Sequence, residues 1–444
     1  MVNSKYYPAQ LSLFEQDDAI LSKTDTTSTF IDNMKLPIHR WFRYSAGFSS
    51  KWVEQTILNI LDEKRINAKN SDFFVLDPFV GSGTTLLAAD QVGITGIGFE
   101  SHPLISKIAS AKLLWDTDID SFRKFSNNIL HRAHNLTKNL DFYPDIIHKC
   151  YGEENLCNID KLKHALSELS NDSNEYKLAW LAFISILRTT SHAGTAQCQY
   201  VLPNKSKSKV SNVFDAYRKQ IEVMCHDILS FSSTAAKSKT RSSIFQHDAR
   251  VIFDEFTNKF DLVITSPPYA NNYDYADATR LELCILGDIK GWGDLQDTVR
   301  GSLIRSCTQH VSKEKKQTFD FLDEPILNSI KDEIYPICKR LDEEKEHHGG
   351  KKNYHTMIAL YFLDLSIVWQ NLRKLCKFNS DVCFVIGDSA PYGIYIPVDK
   401  WLGKLAVASG FDSYYFLKTR DRNVKWKNRK HNVPLKEGQL WVKG

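Results

Sequence analysis

The chain has 444 residues, enough for one enlarged domain or two to three ordinary ones, and its 42% hydrophobic and 25% charged residues exclude a disordered chain. A net charge of +4 is too small to identify a nucleic-acid partner, so only local clusters of basic residues can carry that reading. Nine cysteines with no Cys-x-x-Cys spacing argue against a disulfide framework and a structural zinc site, and no run of about 18 apolar residues or apolar leader after Met1 is present, so a cytoplasmic protein without membrane insertion is expected.

No internal repeat is found. Residues 1–35 are polar and rich in Ser, Thr and Asp, which predicts a loosely ordered arm; a folded unit begins near Leu36. A helix is expected from Ser49, with Ser49 or Ser50 as N-cap and Val53, Ile57, Ile60 and Leu61 on one face. Phe73 to Leu76 reads as a strand, followed by a glycine turn and a helix through Thr85-Leu86-Leu87-Ala88-Ala89; Ile94 to Phe99 reads as a second strand ending at Glu100. This is the opening of a doubly wound α/β sheet. Residues from about 118 to 230 are helical in pattern, with Val213, Tyr217, Ile221, Met224 and Ile228 forming a core stripe. Buried strands return at Phe260 to Ile264 and Val382 to Ile386, and the polar, irregular segment between about 286 and 350 reads as inserted.

In Asp77-Pro78-Phe79-Val80-Gly81-Ser82-Gly83-Thr84-Thr85, two glycines permit a tight strand-to-helix turn and close approach of a nucleotide-like ligand. No Gly-Lys-Ser/Thr follows, so the phosphate-cradling lysine of an ATP site is missing. Glu100 stands 19 residues beyond Gly81, where an acid can accept hydrogen bonds from ribose hydroxyls. The stretch Asp77 to Thr85 resembles the cofactor motif of S-adenosylmethionine-dependent amino-methyltransferases acting on DNA, Asp-Pro-Phe-x-Gly-Ser-Gly-Thr, with complete agreement. The segment His39-Arg40-Trp41-Phe42-Arg43-Tyr44 to Gly47-Phe48-Ser49 resembles, more loosely, the motif that these enzymes place on the methionine end of the cofactor. The resemblance implies S-adenosylmethionine held by Asp77, Pro78, Phe79, Gly81, Gly83, Thr84 and Glu100, with Phe48 and Ser49 from the upstream segment.

Thr265-Ser266-Pro267-Pro268-Tyr269 follows the strand Phe260 to Ile264, and two prolines force the chain out of the sheet at its carboxyl edge, where ligands bind in open α/β folds. An exocyclic amino nitrogen is a poor nucleophile, because its lone pair is delocalised into the ring. Ser266 Oγ and the Pro267 carbonyl can accept its N–H groups and favour a tetrahedral nitrogen, while Tyr269 stacks on a base taken out of the duplex. The segment resembles the catalytic motif of the same family, whose Ser-led version is typical of cytosine-N4 enzymes, whereas adenine-N6 enzymes usually carry Asp or Asn at the position of Ser266. A cytosine-C5 enzyme would need a Pro-Cys nucleophile, and no such dipeptide occurs. The resemblance further implies that Asp248 contacts the cofactor adenine and that Gly387-Asp388-Ser389 and Gly410-Phe411 belong to later sheet elements.

The expected protein is therefore an α/β, Rossmann-like, mostly parallel methyltransferase with helical and irregular insertions, modifying N4 of cytosine in a specific duplex sequence within a restriction-modification or DNA-protection system. Adenine N6, an RNA base, and a non-catalytic DNA-binding role remain alternatives. The expected organisation is an arm over 1–35, a cofactor half over 36–117, a helical insertion over 118–240, a catalytic half over 241–285, a candidate target-recognition insertion over 286–355, and the remaining core with a basic hairpin over 356–444. Double-stranded DNA is the expected partner, with phosphate contacts from Lys205, Lys207 and Lys209 and from Arg420, Arg422, Lys425, Lys427 and Arg429 around Trp426. Gln10-Leu11-Ser12-Leu13-Phe14 resembles the peptide by which bacterial proteins dock onto the replication sliding clamp, and a cognate restriction endonuclease is a further candidate partner. No metal is expected; His347-His348 lacks ligand partners at suitable spacing and reads as a plain loop.

Overall fold

The computed structural model describes residues 30–44, 47–67, 72–137, 140–194, 207, 209–236, 241–312, 314, 316–349, 352–422 and 433–444. Short apolar runs build a seven-stranded sheet from β1 (Phe74–Asp77), β2 (Thr95–Phe99), β3 (Ser243–Phe245), β4 (Phe260–Thr265), β5 (Cys376–Gly387), β6 (Ser413–Arg422) and β7 (Leu435–Lys443). Their order is β3-β2-β1-β4-β5-β7-β6. All neighbours run parallel except β7, which is antiparallel to both β5 and β6. This is the sheet of a class I methyltransferase fold, and it agrees with the doubly wound expectation.

Side-chain alternation explains why the strands read as continuous apolar runs. Val75, Leu262, Ile264, Cys383 and Val385 face the helix α1 (Ser50–Glu63), whereas Leu76, Val263, Val382, Phe384 and Ile386 face the buried helix Tyr354–Leu375 on the opposite side. Both faces are covered, so neither can be polar. Ser49 caps α1 by accepting the Trp52 N–H at 3.4 Å, and Val53, Ile57, Ile60 and Leu61 are buried as their spacing predicts. β5 begins upstream of the predicted Val382, at Cys376, which pairs with Phe260; the ladder is then interrupted and resumes at Asp381, so hydropathy carries no signal of this irregular first part.

The crossover from β2 to β3 carries six helices among the described residues, including α3 (Pro103–Lys112), α4 (Ile119–Asn135) and the long Val213–Thr234. The predicted stripe Val213, Tyr217, Ile221, Met224 and Ile228 is buried. Buried Asp227 on the same helix accepts Ile38 N–H at 3.1 Å, Arg40 Nε at 2.9 Å and Trp41 Nε1 at 3.0 Å. This insertion therefore pins the segment preceding α1 to the core. The 286–350 segment is less irregular than its composition predicts. Ile304, Val311, Leu322, Leu327, Ile330, Ile334, Cys338 and Leu341 are buried in the same core cluster as the helix Tyr354–Leu375. Charged residues dominate its composition, but these sparse apolar ones turn inward.

Candidate functional site

The sheet reverses its winding between β1 and β4, so the loops leaving these adjacent parallel strands open on a common crevice. From β1 the chain enters the turn with Gly81 at φ 51° and Gly83 at φ 91°, and α2 (Thr84–Val92) starts immediately after. Both glycines occupy the left-handed region that side chains disfavour. A Cβ on Gly81 would also stand 3.1 Å from Tyr44 Cε1, so the bare backbone is what lets Tyr44 close against the turn.

Asp77 lies behind the turn and is 1% exposed. It accepts the Phe79 N–H at 3.1 Å, the Thr85 hydroxyl at 2.6 Å and the Thr265 hydroxyl at 2.5 Å. Burial raises its pKa to about 6 against the lowering effect of these donors. Its carboxylate is thus a strut joining β1, α2 and the end of β4. Glu100, at the end of β2, accepts Gly81 N–H at 2.9 Å and His102 N–H at 2.8 Å, one on each oxygen. Burial lifts its pKa to about 7, opposed by those two donors. Each oxygen keeps a lone pair for a hydroxyl donor from a ligand.

Past β4, Ser266 Oγ donates to the Val385 carbonyl at 3.0 Å, which orients the hydroxyl and leaves its oxygen available as an acceptor. Tyr269 follows, and burial pushes its phenol pKa up. The next residues are tied to the 300–310 segment. Asn272 Oδ1 accepts both N–H and hydroxyl of Thr308 at 2.8 Å, and Asp274 accepts Arg300 Nη2 at 2.7 Å. Burial alone would raise the Asp274 pKa, but hydrogen bonds from His310 and Arg300 outweigh it and hold it at about 2. Asp274, Cys307 and His310 bring ligand-type atoms within 4.8 Å of one another. The Arg300 guanidinium already neutralises the carboxylate of that trio, which makes it a strut rather than a cation site.

These elements enclose one cleft of about 310 Å³. Of the residues singled out in the sequence, Pro78, Phe79, Gly81, Glu100, Asp248, Ser266, Pro267, Pro268 and Tyr269 line it together. Asp77, Gly83 and Thr84 stand behind the lining, the last at the start of α2 and 5% exposed. Asp248 is held by Arg250 Nη2 at 2.6 Å, and Arg250 reaches the buried Asp364 at 3.3 Å. The geometry brings a bare backbone turn, two acidic groups and the Ser-Pro-Pro-Tyr segment around one concave space.

Several expectations need correction. The Phe48 side chain packs in the core edge-on to Trp52, with centroids 5.8 Å apart, and Ser49 caps α1; neither lines the cleft, while their neighbours Gly47 and Tyr44 do. Lys207 turns its ammonium onto the carbonyls of Arg188, Ser191 at 2.5 Å and Ala193 at 3.1 Å, so its donors are taken by the turn that follows the helix Asn174–Ile186 and are not offered to a phosphate. Lys209 is exposed. Arg420 and Arg422 line the cleft itself, bound to Glu437 and Tyr269 rather than spread on an outer face. Lys205, Lys425, Trp426, Lys427, Arg429 and the Gln10–Phe14 peptide lie outside the described residues. Of the expected histidine loop, His348 stacks on Tyr392 with centroids 4.2 Å apart.

Tyr44, inside the upstream segment but not singled out there, lines the cleft, and sequence reasoning missed Phe99, His247, Tyr273, Tyr275, Ser302, Leu303 and Ile304, which line it too. The alternate tyrosines Tyr273 and Tyr275, shortly after Tyr269, were a usable signal. Leu303 and Ile304 had none, since they reach the site through the fold of an insertion.

Comparison with known proteins gives consistent findings. A family model described as DNA methylase, of the N6/N4 methyltransferase type, matches residues 20–111. The chain is 26% identical to the type II methyltransferase M.BsoBI of Geobacillus stearothermophilus, over 96% of this chain and 90% of that protein. It is also 26% identical to the type II methyltransferase M.AvaI of Nostoc sp. strain PCC 7120, over 86% of this chain and 81% of the relative. The type II methyltransferase M.MjaII of Methanocaldococcus jannaschii is 38% identical over a shorter stretch, 15% of this chain and 12% of its own. No solved structure matches the chain. Among the described residues, no helix is long and apolar enough to cross a membrane.

Proposed function

We propose that this chain belongs to the DNA amino-methyltransferase family and that it transfers the methyl group of S-adenosylmethionine to the exocyclic N4 amino group of cytosine in a specific duplex sequence. The observation that carries this reading is the single cleft shared by the glycine turn and a Ser-led Ser-Pro-Pro-Tyr tetrapeptide.

The cofactor, when bound, supplies an electrophilic methyl group on a sulfonium. For the rest, the residues present fit such a ligand. Gly81 presents a turn without a side chain, and Glu100 has lone pairs free for ribose hydroxyls while it braces the turn. Asp248, steadied by Arg250, takes the adenine side. On the base side, Ser266 Oγ, with its proton committed to Val385, and the Pro267 carbonyl accept the amino N–H groups and hold the nitrogen lone pair toward the methyl. Tyr269 stacks on the extruded base and offsets an unstacking cost of a few kcal/mol. The Ser-led tetrapeptide resembles the version typical of cytosine-N4 enzymes, and this resemblance supports cytosine over adenine.

The relatives are named type II methyltransferases, which supports a role as the modification half of a restriction-modification system with a cognate endonuclease. Lys209 and the Lys425, Lys427 and Arg429 cluster are proposed to meet DNA phosphates, and Gln10 to Phe14 to bind the sliding clamp. The deciding experiment incubates the protein with labelled S-adenosylmethionine and mixed DNA and identifies the modified nucleoside by mass. N4-methylcytosine is expected; N6-methyladenine would overturn the target base, and no labelled nucleoside would overturn the activity.

A further inference from the structure

The guanidinium carbon of Arg422 lies over the Tyr269 ring, 5.2 Å from its centroid. To get there the side chain leaves β6 and crosses β7 and β5 at the cleft end of the sheet. Its Nη1 donates to the Asp388 carbonyl at 2.8 Å, and its Nε lies 3.8 Å from Glu437 Oε2. Glu437 is 5% exposed and also binds Arg420 at 2.7 Å. The crossing exists because of Gly387 on β5: a Cβ there would stand 2.5 Å from Arg422 Nη1 and 3.2 Å from Arg422 Cζ. Gly387 is not in the left-handed region, so its lack of a side chain, and not its backbone freedom, is what the structure uses.

We propose that Arg422 is a positioning residue for methyl transfer: it backs one face of Tyr269, fixes the ring plane, and leaves only the opposite face for the extruded base, with Gly387 as its passage. This rests on the methyltransferase reading above and gives that reading a direction of approach. A planar guanidinium can lie over an aromatic face while donating in its own plane to the Asp388 carbonyl and pairing by charge with Glu437. A lysine ammonium keeps the charge but has no such plane. Arg422 therefore acts on the orientation of a stacked base and not on the attraction of the duplex, in contrast to an exposed residue that pairs with a phosphate.

The test compares the full-length wild-type protein with Arg422→Lys, Arg422→Gln and Gly387→Ala. Steady-state methylation of a duplex containing the target site is measured together with duplex affinity at several salt concentrations and the fluorescence of 2-aminopurine at the target position. All three variants should lose about tenfold or more in kcat and most of the 2-aminopurine signal, with duplex affinity within about twofold. Lysine should not rescue. Unchanged kcat in Arg422→Gln would overturn the proposal, and so would a loss confined to KM with a salt slope lower by about one, the mark of a residue that pairs with a phosphate. If the Arg422 variants do not fold, Gly387→Ala, which retains the arginine, decides by the same readouts. A wild-type protein that methylates no DNA would instead bring down the parent reading, and this inference with it.

Discussion

The Thr265 hydroxyl donates a 2.5 Å hydrogen bond to Asp77, joining the last residue of β4 to the last residue of β1. Thr85 donates to the other carboxylate oxygen at 2.6 Å, so one buried acid sets the spacing between the two loops that form the cleft. Asp77→Ala should cost about 1–3 kcal/mol, the range for stranding buried hydroxyl donors, and should lower methylation through misplacement of Ser266. Thermal unfolding and kcat check the two effects.

Asp77 also carries a pH signature. Burial raises its folded pKa to about 6, above the value of about 4 for an unfolded aspartate. The native chain holds this proton more tightly, so the group's contribution to stability is fully present below about pH 4 and is lost as pH rises through about 6. Asp77→Asn should flatten this part of the stability profile, as measured by denaturant unfolding between these limits.

Glu100 should make cofactor binding pH-dependent. With its pKa raised to about 7, protonation below neutrality removes acceptor capacity next to Gly81. S-adenosylmethionine affinity should therefore fall as pH drops below about 7. Glu100→Gln should bind about tenfold or more weakly at pH 8 and show little pH dependence. Calorimetric titration across pH checks this, and an unchanged profile in the variant would place the titrating group elsewhere.

Asp364 lies outside the cleft but accepts Arg250 at 3.3 Å and Arg305 Nε at 3.0 Å. Its removal leaves two partly buried guanidinium groups without their shared anion, at a cost of about 3–5 kcal/mol. Because Arg250 also holds Asp248, Asp364→Ala should weaken S-adenosylmethionine binding as well as lower Tm. Reduced stability with cofactor affinity intact would separate Asp248 from the site.

Replacing Lys425, Lys427 and Arg429 together by glutamine should weaken duplex binding without a change in cofactor affinity. The log-log salt slope should shrink by about 0.9 for each phosphate that the native cluster neutralises. An unchanged slope would remove this cluster from the DNA surface.

What the sequence made legible was local. Gly81 and Gly83 permit a left-handed backbone and Pro267 and Pro268 fix theirs, so the turns they form and the strand ends they mark could be read without partners. That both turns face one crevice followed from a parallel sheet. Side-chain destinations did not follow. Lys207 and Lys209 lie close together with equal charge, yet one binds the carbonyls of a turn and the other is exposed. Arg422 sits in a basic stretch that reads as a surface, but it packs on a tyrosine beyond two intervening strands. Phe48 joined the core because α1 presents Trp52 to it. Such choices depend on long-range packing that spacing along the chain does not encode.

The insertion of β7 between β5 and β6 orders the birth of the protein. Glu437, which anchors Arg420 and faces Arg422, is translated after both, and the edge of β5 stays open until the chain has passed Lys443. The glycine turn and the tetrapeptide leave the ribosome long before the strand that steadies Tyr269 through Arg422. Nascent chains should therefore acquire the capacity to hold cofactor before the capacity to modify DNA, with an unpaired strand edge to shield in the interval.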